Sequence, residues 1–190
     1  DALNLVEIQA EPMPFVVKEV DAIKADAPKV FKDRPNLGEG KEKTTGDVDA
    51  AFASAAAVVE ASVHTPVEFH QPLETHGHTV AWDGDELTAW SSTQGVFAVR
   101  NAFAQSLGLP QNKVRVLCEH MGGGFGSKFN PGAEGILCAK LARAAGAPVK
   151  LMLTRFEQAL AVGNRPSSYQ KIKVGADAQG RPGLGGAAAR

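Results

Sequence analysis

Residues 121–128, Met121-Gly-Gly-Gly-Phe-Gly-Ser-Lys128, form a glycine-rich stretch that decides how the surrounding chain can fold. The preceding segment, Lys113-Val-Arg-Val-Leu-Cys118, has the apolar alternation of a short strand. Residues 132–146 follow with apolar positions at helical spacing, and Gly146 is the terminating residue. The sequence therefore predicts a strand, a glycine loop and a helix in this order, which is typical of α/β and α+β domains.

The glycine loop matches neither of two known phosphate-binding loops. Glycines between a strand and a helix let backbone N–H groups approach a ligand closely. The Walker pattern fails because Gly-Lys-Ser/Thr is replaced by Ser127-Lys128-Phe129. The dinucleotide fingerprint fails because its sixth position is Ser127. A simple tight turn is the plain alternative, but four glycines around Phe125 favour contact with a ligand.

Further elements are predicted outward from the loop. Asp47 is suited to cap a helix, and Gly108 to end one. Trp82 and Trp90 lie on either side of a turn at Asp83-Gly84-Asp85 and are predicted to pair across a hairpin. The predicted strands are 3–9, 57–64, 80–82, 87–90, 113–118, 149–153 and 170–174, and the predicted helices are 48–55, 94–107 and 132–146.

The composition excludes several classes of protein. The chain has 190 residues, is 44% hydrophobic and has a formal net charge of −1. It can therefore bury a core, and it lacks the basic excess of a nucleic-acid or anionic-membrane binder. No apolar run reaches the ~20 residues of a membrane helix. Two cysteines, Cys118 and Cys138, are too few for a disulfide framework and are expected to be packed as small apolar residues.

The composition also suggests where the chain divides. Residues 33–46 are rich in charge, proline and glycine, and we expect a linker there. Residues 182–190 are of low complexity, and we expect a flexible tail. The chain opens at Asp1 within a strand-like pattern, so we expect it to be a piece of a longer protein.

Several polar residues are candidates for a site. His70, His76 and His78 could hold a metal, but a structural role is favoured because no ligand-like spacing accompanies them. Glu74 is expected to accept structural hydrogen bonds. Gln94 is predicted in the first turn of a helix capped by Ser92 or Thr93, where its amide could donate to a ligand oxygen or serve an ordinary structural role.

Taken together, several motifs resemble the molybdenum-binding large subunit of the xanthine dehydrogenase/aldehyde oxidase family. Their order and spacing match over residues 1–181, and members with aldehyde oxidoreductase activity resemble the chain best. The motifs are Gly46-Asp-Val-Asp-Ala-Ala-Phe52, Pro72-Leu-Glu-Thr-His76, Trp90-Ser-Ser-Thr-Gln94, Met121-Gly-Gly-Gly-Phe-Gly126, Ala147-Pro-Val-Lys150 and Arg155-Phe-Glu157.

The resemblance implies an α+β fold. Residues 1–35 are expected to end an α/β hammerhead domain, and residues 36–181 to form the first part of the molybdopterin-binding domain, a mixed sheet with helices. Residues 182–190 are expected to be a non-homologous tail. The family hydroxylates carbon with water-derived oxygen at molybdenum held by a pterin dithiolene, which in bacteria is usually a cytosine dinucleotide. Electrons pass through [2Fe-2S] clusters to FAD.

The resemblance also implies partners and site residues. The partners would be the remainder of the large subunit, an iron–sulfur subunit and an FAD subunit, assembled as a hetero-oligomer acting on a small molecule. Gln94 matches the glutamine that hydrogen-bonds the apical oxo group, and with Phe125 it is the catalytic candidate. Gly123, Gly124, Phe125 and Gly126 match the loop that contacts the cofactor. No residue of this chain ligates the metal, and the family's glutamate base lies outside the chain, so we expect these 190 residues alone to be inactive.

Phe129 bears on the substrate. Purine-hydroxylating members carry a glutamate at this position, and a phenylalanine cannot hydrogen-bond a purine. The expected activity is therefore aldehyde oxidation. Two alternatives stay open: a cofactor-free binding or scaffold module with the same fold, and an N-heterocycle hydroxylase or carbon monoxide dehydrogenase-like member. The cellular compartment is open.

Overall fold

The computed structural model describes residues 5–38 and 40–189, with side chains to residue 182. The helices are α1 Glu19–Ala22, α2 Val48–Ser54, α3 Val96–Leu107, α4 Gly132–Ala145 and α5 Arg155–Ala161. The strands are β1 Ala57–Thr65, β2 Gly77–Asp83, β3 Glu86–Ser91, β4 Val114–Leu117, β5 Val149–Met152, β6 Ser168–Ala176 and β7 Pro182–Ala189. The chain forms two compact units: a first unit of Asp1–His64 with Tyr169–Arg190, and a second unit of Thr65–Ser168.

The second unit is a mixed sheet with helices packed on it. Its strand order is β4-β3-β2-β5, in which β3 and β4 are parallel and the other neighbours antiparallel. Apolar side chains of β2 and β3, such as Val80, Leu87 and Ala89, meet Val99 and Phe103 of α3 in a core that excludes water. The helix α4 adds Cys138, Ala139 and Ala142 to this core. The predicted α+β class with a mixed sheet is confirmed.

The predicted hairpin is confirmed, but the predicted tryptophan pair is wrong. A two-residue turn at Gly84-Asp85 puts Trp82 opposite Leu87, and Trp90 opposite Thr79. Thr79 and Trp82 are three positions apart, so they and their partners lie on opposite faces of the sheet. Trp82 instead donates its indole N–H to the carbonyl of Ala139.

The first unit contains a three-stranded sheet of order β1-β6-β7. Asp47 caps α2 as predicted, because its carboxylate accepts the N–H of Ala50 over 2.9 Å. The low-complexity stretch from residue 182 was expected to be flexible, yet β7 pairs antiparallel with β6. Strand pairing uses backbone N–H and C=O groups, so it does not require the side-chain alternation by which strands are recognised in a sequence.

The predicted strand 3–9 is wrong over its described part. Residues 6–9 belong to no helix or strand, and the side chains of Leu5 and Ile8 are 86% and 84% exposed. Leu3 and Asn4 lie outside the described residues. An alternating pattern produces a strand only where another strand pairs with it, and no described strand does so here. The assignment of residues 1–35 to a hammerhead domain stays a prediction.

Candidate functional site

The glycine loop connects β4 to α4 in an unusual backbone conformation. Gly123, Phe125 and Gly126 have φ values of +94°, +53° and +97°. Positive φ is uncommon for a residue with a side chain, so Phe125 is held by its surroundings. A turn closes the centre of the loop, since the N–H and hydroxyl of Ser127 both donate to the carbonyl of Gly124, over 3.0 and 2.7 Å.

Gln94 is the side chain that fixes the end of this loop. Its Oε1 accepts the N–H of Gly126 over 2.8 Å and of Lys128 over 3.3 Å. Because both partners are donors, the atom they contact must be the amide oxygen, which leaves Nε2 as a donor. Gly124 packs against this amide so closely that a Cβ there would lie 2.5 Å from Gln94 Cδ.

The middle of the loop offers free backbone donors. In the part of the chain that is described, the N–H groups of Gly123, Gly124 and Phe125 donate to no other protein group. The φ angle is positive at Gly123 and Phe125 but not at Gly124, and such alternation is typical of the backbone concavities that bind anions or polar oxygens. The loop and Gln94 together therefore present a set of hydrogen-bond donors.

An ion pair between a buried lysine and a partly exposed glutamate lies beside the loop, and we call Glu74, Ser92 and Lys128 the Glu74 cluster. The Lys128 ammonium donates to Glu74 O over 2.9 Å, to Glu74 Oε2 over 3.2 Å and to Ser92 Oγ over 2.6 Å. Glu74 Oε2 also accepts the Ser92 hydroxyl over 2.5 Å and the N–H of Gly122 over 2.8 Å. The predicted structural role of Glu74 is confirmed.

The charge of Glu74 is stabilised by this cluster. Partial burial alone would raise the pKa of the Glu74 carboxyl, but hydrogen bonds from Ser92, Gly122 and Lys128 bring the net pKa below its usual value. Sequence reasoning missed Lys128 as a site residue. A lysine after a glycine loop reads as a phosphate contact, and only the fold shows that it turns inward.

The two histidines near β2 support the segment that leaves the loop. His78 Nε2 donates to the carbonyl of Pro131 over 3.0 Å, and its Nδ1 contacts Ser91 Oγ over 2.8 Å. Burial lowers the pKa of His78 to about 4 and also lowers that of His76, whose Nε2 lies 3.3 Å from Ser127 O. The structural role is confirmed for His76 and His78. Among the residues described, no group of three His, Cys, Asp or Glu side chains could hold a metal.

Other predicted residues meet at the same loop. The half-exposed ring of Phe129 lies against Gly95, where a Cβ would be 3.1 Å from Phe129 Cδ1. The prediction that Gln94 lies in a helical first turn is wrong, since α3 begins at Val96 with Gly95 as its cap. The hydroxyl of Thr93 accepts the N–H of Gly95 over 3.0 Å, which places Gln94 in the turn before the helix.

The two cysteines lie outside the loop. Cys138 is a free, fully buried thiol, as predicted, and burial raises its pKa. Cys118 is a free, half-buried thiol. Within the described part of the chain, none of the helices is long and apolar enough to cross a membrane.

Comparison with known proteins gives consistent matches. A family model described as the molybdopterin cofactor-binding domain matches residues 30–182. The chain is 38% identical over 140 residues to the aldehyde oxidoreductase molybdenum-binding subunit PaoC of Escherichia coli (strain K12). The aligned region covers 74% of this chain and 19% of that protein. The chain is 32% identical over 184 residues to the nicotine 6-hydroxylase large subunit of Paenarthrobacter nicotinovorans, covering 95% of the chain and 22% of that protein.

A solved structure matches over nearly the whole chain. Reconstituted CO dehydrogenase from Oligotropha carboxidovorans superposes with a TM-score of 0.82 at 26% identity, covering 99% of this chain and 25% of that chain. The chain spans about a fifth of the length of the curated relatives described above.

Proposed function

The chain belongs to the molybdopterin cofactor-binding domain of the xanthine dehydrogenase/aldehyde oxidase family, and we propose that its glycine loop and Gln94 hold a pterin-bound molybdenum centre. When bound, this group supplies two-electron oxidation of a carbon centre with oxygen taken from water. The observation that carries the proposal is the donor set: free N–H groups at residues 123–125 and the Nε2 amide of Gln94. An anionic, oxygen-rich cofactor requires such donors.

The loop residues fit a closely held group for a steric reason as well. A Cβ at Gly122 would lie 2.5 Å from Glu74 Cβ, and one at Gly124 would lie 2.5 Å from Gln94 Cδ. Glycine at both positions lets the loop backbone lie directly on these two side chains. Glu74 accepts the N–H of Gly122, and Gln94 accepts that of Gly126. The N–H groups of residues 123–125, between these two, are left to bind a ligand.

The side chains of the site have distinct roles in this proposal. Gln94 Nε2 would donate a hydrogen bond to an oxygen of the bound cofactor, while its fixed Oε1 holds the amide in one orientation. The ring of Phe125 is exposed on the loop, where it would exclude water from the reacting carbon. Phe129 would offer an apolar contact to the substrate.

We propose aldehyde oxidation as the activity of the assembled protein. Phe129 supports it, because an apolar ring selects against purines, and the aldehyde oxidoreductase subunit named above is a relative. The cofactor would be the cytosine dinucleotide form, with [2Fe-2S] clusters and FAD on other domains or subunits of a hetero-oligomer. The general base would come from outside these residues.

Metal analysis of the purified protein, together with its partner chains, tests the proposal. We expect stoichiometric molybdenum, and we expect Gly124→Ala to lose most of it because the added methyl group displaces Gln94. Gly38→Ala is the matched control, since a Cβ there has nothing within 4 Å. A wild-type protein without molybdenum would overturn the proposal and favour the cofactor-free scaffold.

A second variant tests Gln94 alone. Gln94→Glu keeps an oxygen for the N–H groups of Gly126 and Lys128 but replaces the Nε2 donor. We expect kcat to fall roughly 10²-fold, as on removal of one donor to a developing charge. An unchanged kcat would show that Nε2 does not contact the reacting centre.

The relatives also support two other candidate activities, hydroxylation of an N-heterocycle and oxidation of carbon monoxide. Nicotine 6-hydroxylase and CO dehydrogenase are both similar to this chain. Comparing kcat/KM for aromatic aldehydes, N-heterocycles and carbon monoxide separates these substrates. A higher value for an N-heterocycle would replace aldehyde oxidation as the proposed activity.

A further inference from the structure

We propose that Glu74 and Lys128 are positioning residues, which join the two ends of the glycine loop and thereby set the orientation of Gln94. This inference rests on the proposed function, since it concerns the same loop. It assigns to an ion pair, whose ammonium is buried and whose carboxylate is partly exposed, the task of holding a strained backbone in the conformation that binds the cofactor.

Glu74 holds the first end of the loop through two hydrogen bonds, one that it accepts and one that it donates. Its carboxylate accepts the N–H of Gly122 over 2.8 Å, and its own N–H donates to the carbonyl of Gly122 over 3.3 Å. Gly122 cannot move away without breaking both bonds. The carboxylate therefore fixes where the three free N–H groups begin.

The other end of the loop is held by Lys128 through the same carboxylate. Its ammonium has three hydrogens, and the three acceptors Glu74 O, Glu74 Oε2 and Ser92 Oγ use them all. Its side chain is 0% exposed. Lys128 thus has no donor left for a phosphate or a substrate, and any effect it has on the site must act through other residues.

Lys128 transmits its position to Gln94 through its backbone. The carbonyl of Lys128 accepts the N–H of Gln94 over 2.9 Å and the hydroxyl of Thr93 over 2.8 Å, while its N–H donates to Gln94 Oε1 over 3.3 Å. Both the backbone and the side chain of Gln94 are therefore hydrogen-bonded to the backbone of residue 128. A shift of Lys128 would rotate the Gln94 amide.

A charged pair suits this task better than apolar packing for a physical reason. Phe125 is held at positive φ, and such a conformation persists only where neighbouring contacts determine it. A buried ammonium tolerates few alternative positions, because leaving its acceptors would leave a charge unpaired in the interior. The pair therefore penalises displacement of either end of the loop.

The test uses the purified protein with its partner chains and compares Lys128→Met, Glu74→Gln and the double variant. Hydrogen exchange of the peptide 119–131 is measured on cofactor-free protein, and the Mo(V) electron paramagnetic resonance signal on loaded protein. We expect loop exchange to rise about tenfold or more in either single variant, with an altered Mo(V) signal. The double variant should change exchange by less than the two single effects combined, because the residues act on one carboxylate.

The matched control is Lys113→Met, which removes a partly exposed lysine that pairs with Glu86 in the same unit. It should leave loop exchange and the Mo(V) signal unchanged. Wild-type loop exchange and signal in Lys128→Met would overturn the inference. If Lys128→Met does not fold, Ser92→Ala removes only one acceptor of the ammonium, and unchanged loop exchange in Ser92→Ala and Glu74→Gln overturns it equally.

The two proposals can fail separately. Absence of molybdenum from the wild-type protein would refute the proposed function. Loop exchange would then decide alone whether Glu74 and Lys128 position the loop. Conversely, a loaded wild type with insensitive variants would leave the proposed function standing and remove the positioning role.

Discussion

The two units of this chain both contain large apolar side chains, but they bury them to very different extents. Among the described residues, every buried one except Gly175 lies in the second unit. The strand β1 of the first unit is exposed along its whole length, whereas β2 of the second is largely buried. The second unit also buries polar groups that cluster at the glycine loop, including His76, His78 and Lys128. Apolar content therefore does not by itself make a core, and buried polar groups mark where this fold holds a loop in place.

The largest expected difference between the units concerns phenylalanine. Phe103 is fully buried, so Phe103→Ala should destabilise the second unit by about 3–5 kcal/mol. Phe15 in the first unit is 76% exposed, and Phe15→Ala should change stability by less than about 0.5 kcal/mol. Urea denaturation of both variants checks this. Equal effects would show that the contrast in burial between the units does not govern stability.

The next prediction concerns acid sensitivity. Burial lowers the pKa of His78 to about 4 from an ordinary 6.5, so the folded state keeps this ring neutral. A lowered folded-state pKa contributes stability that is present above pH 6.5 and is lost as the pH falls toward 4. The loss should reach roughly 3 kcal/mol, at about 1.4 kcal/mol for each pH unit.

Denaturation as a function of pH measures this loss. His78→Gln should unfold more easily at pH 7, because the ring also packs against Phe103, and should lose less stability on acidification. Phe15→Ala in the first unit is the control, since that exposed side chain does not titrate. The same slope between pH 6.5 and 4 in His78→Gln and wild type would contradict the assignment.

Most elements of the second unit were predictable because their patterns are local, whereas the short helix α5 was missed. The hairpin and two of the helices each have a periodic apolar face and a glycine where the chain turns or the helix ends. The hairpin turns at Gly84, and the two helices end at Gly108 and Gly146. The glycine loop and Gln94 were predictable as candidates for the same reason, since they occupy a recognisable junction between elements.

What could not be predicted depends on contacts between distant residues. The strand β7 exists through backbone pairing with β6, and the exposure of Leu5 and Ile8 follows from the lack of a partner strand in the described residues. The inward direction of Lys128 depends on Glu74, which is 54 residues away in sequence. Local patterns do not encode such distances, so the Glu74 cluster is visible only in the fold.

Helix caps should give effects of intermediate size in both units. Asp47→Ala removes the carboxylate that accepts the N–H of Ala50, and Thr154→Ala removes the hydroxyl of the capping box at α5. Each should cost about 1 kcal/mol, because a cap satisfies local donors irrespective of the core nearby. Thermal unfolding checks the pair. A cap effect confined to the second unit would mean that α2 adds nothing to the stability of the first.

The smallest expected effect comes from a lysine that contrasts with Lys128. Lys173 in the first unit lies 3.0 Å from Glu60, with the two side chains 45% and 69% exposed. Solvent screens this pair, so Lys173→Met should change stability by no more than about 0.5 kcal/mol, and added salt should diminish the change. Lys128→Met should exceed it several-fold and respond little to salt, because its ammonium is enclosed by acceptors. Denaturation at low and high salt measures both variants, and a salt-sensitive Lys128→Met effect would show that its ion pair is open to solvent.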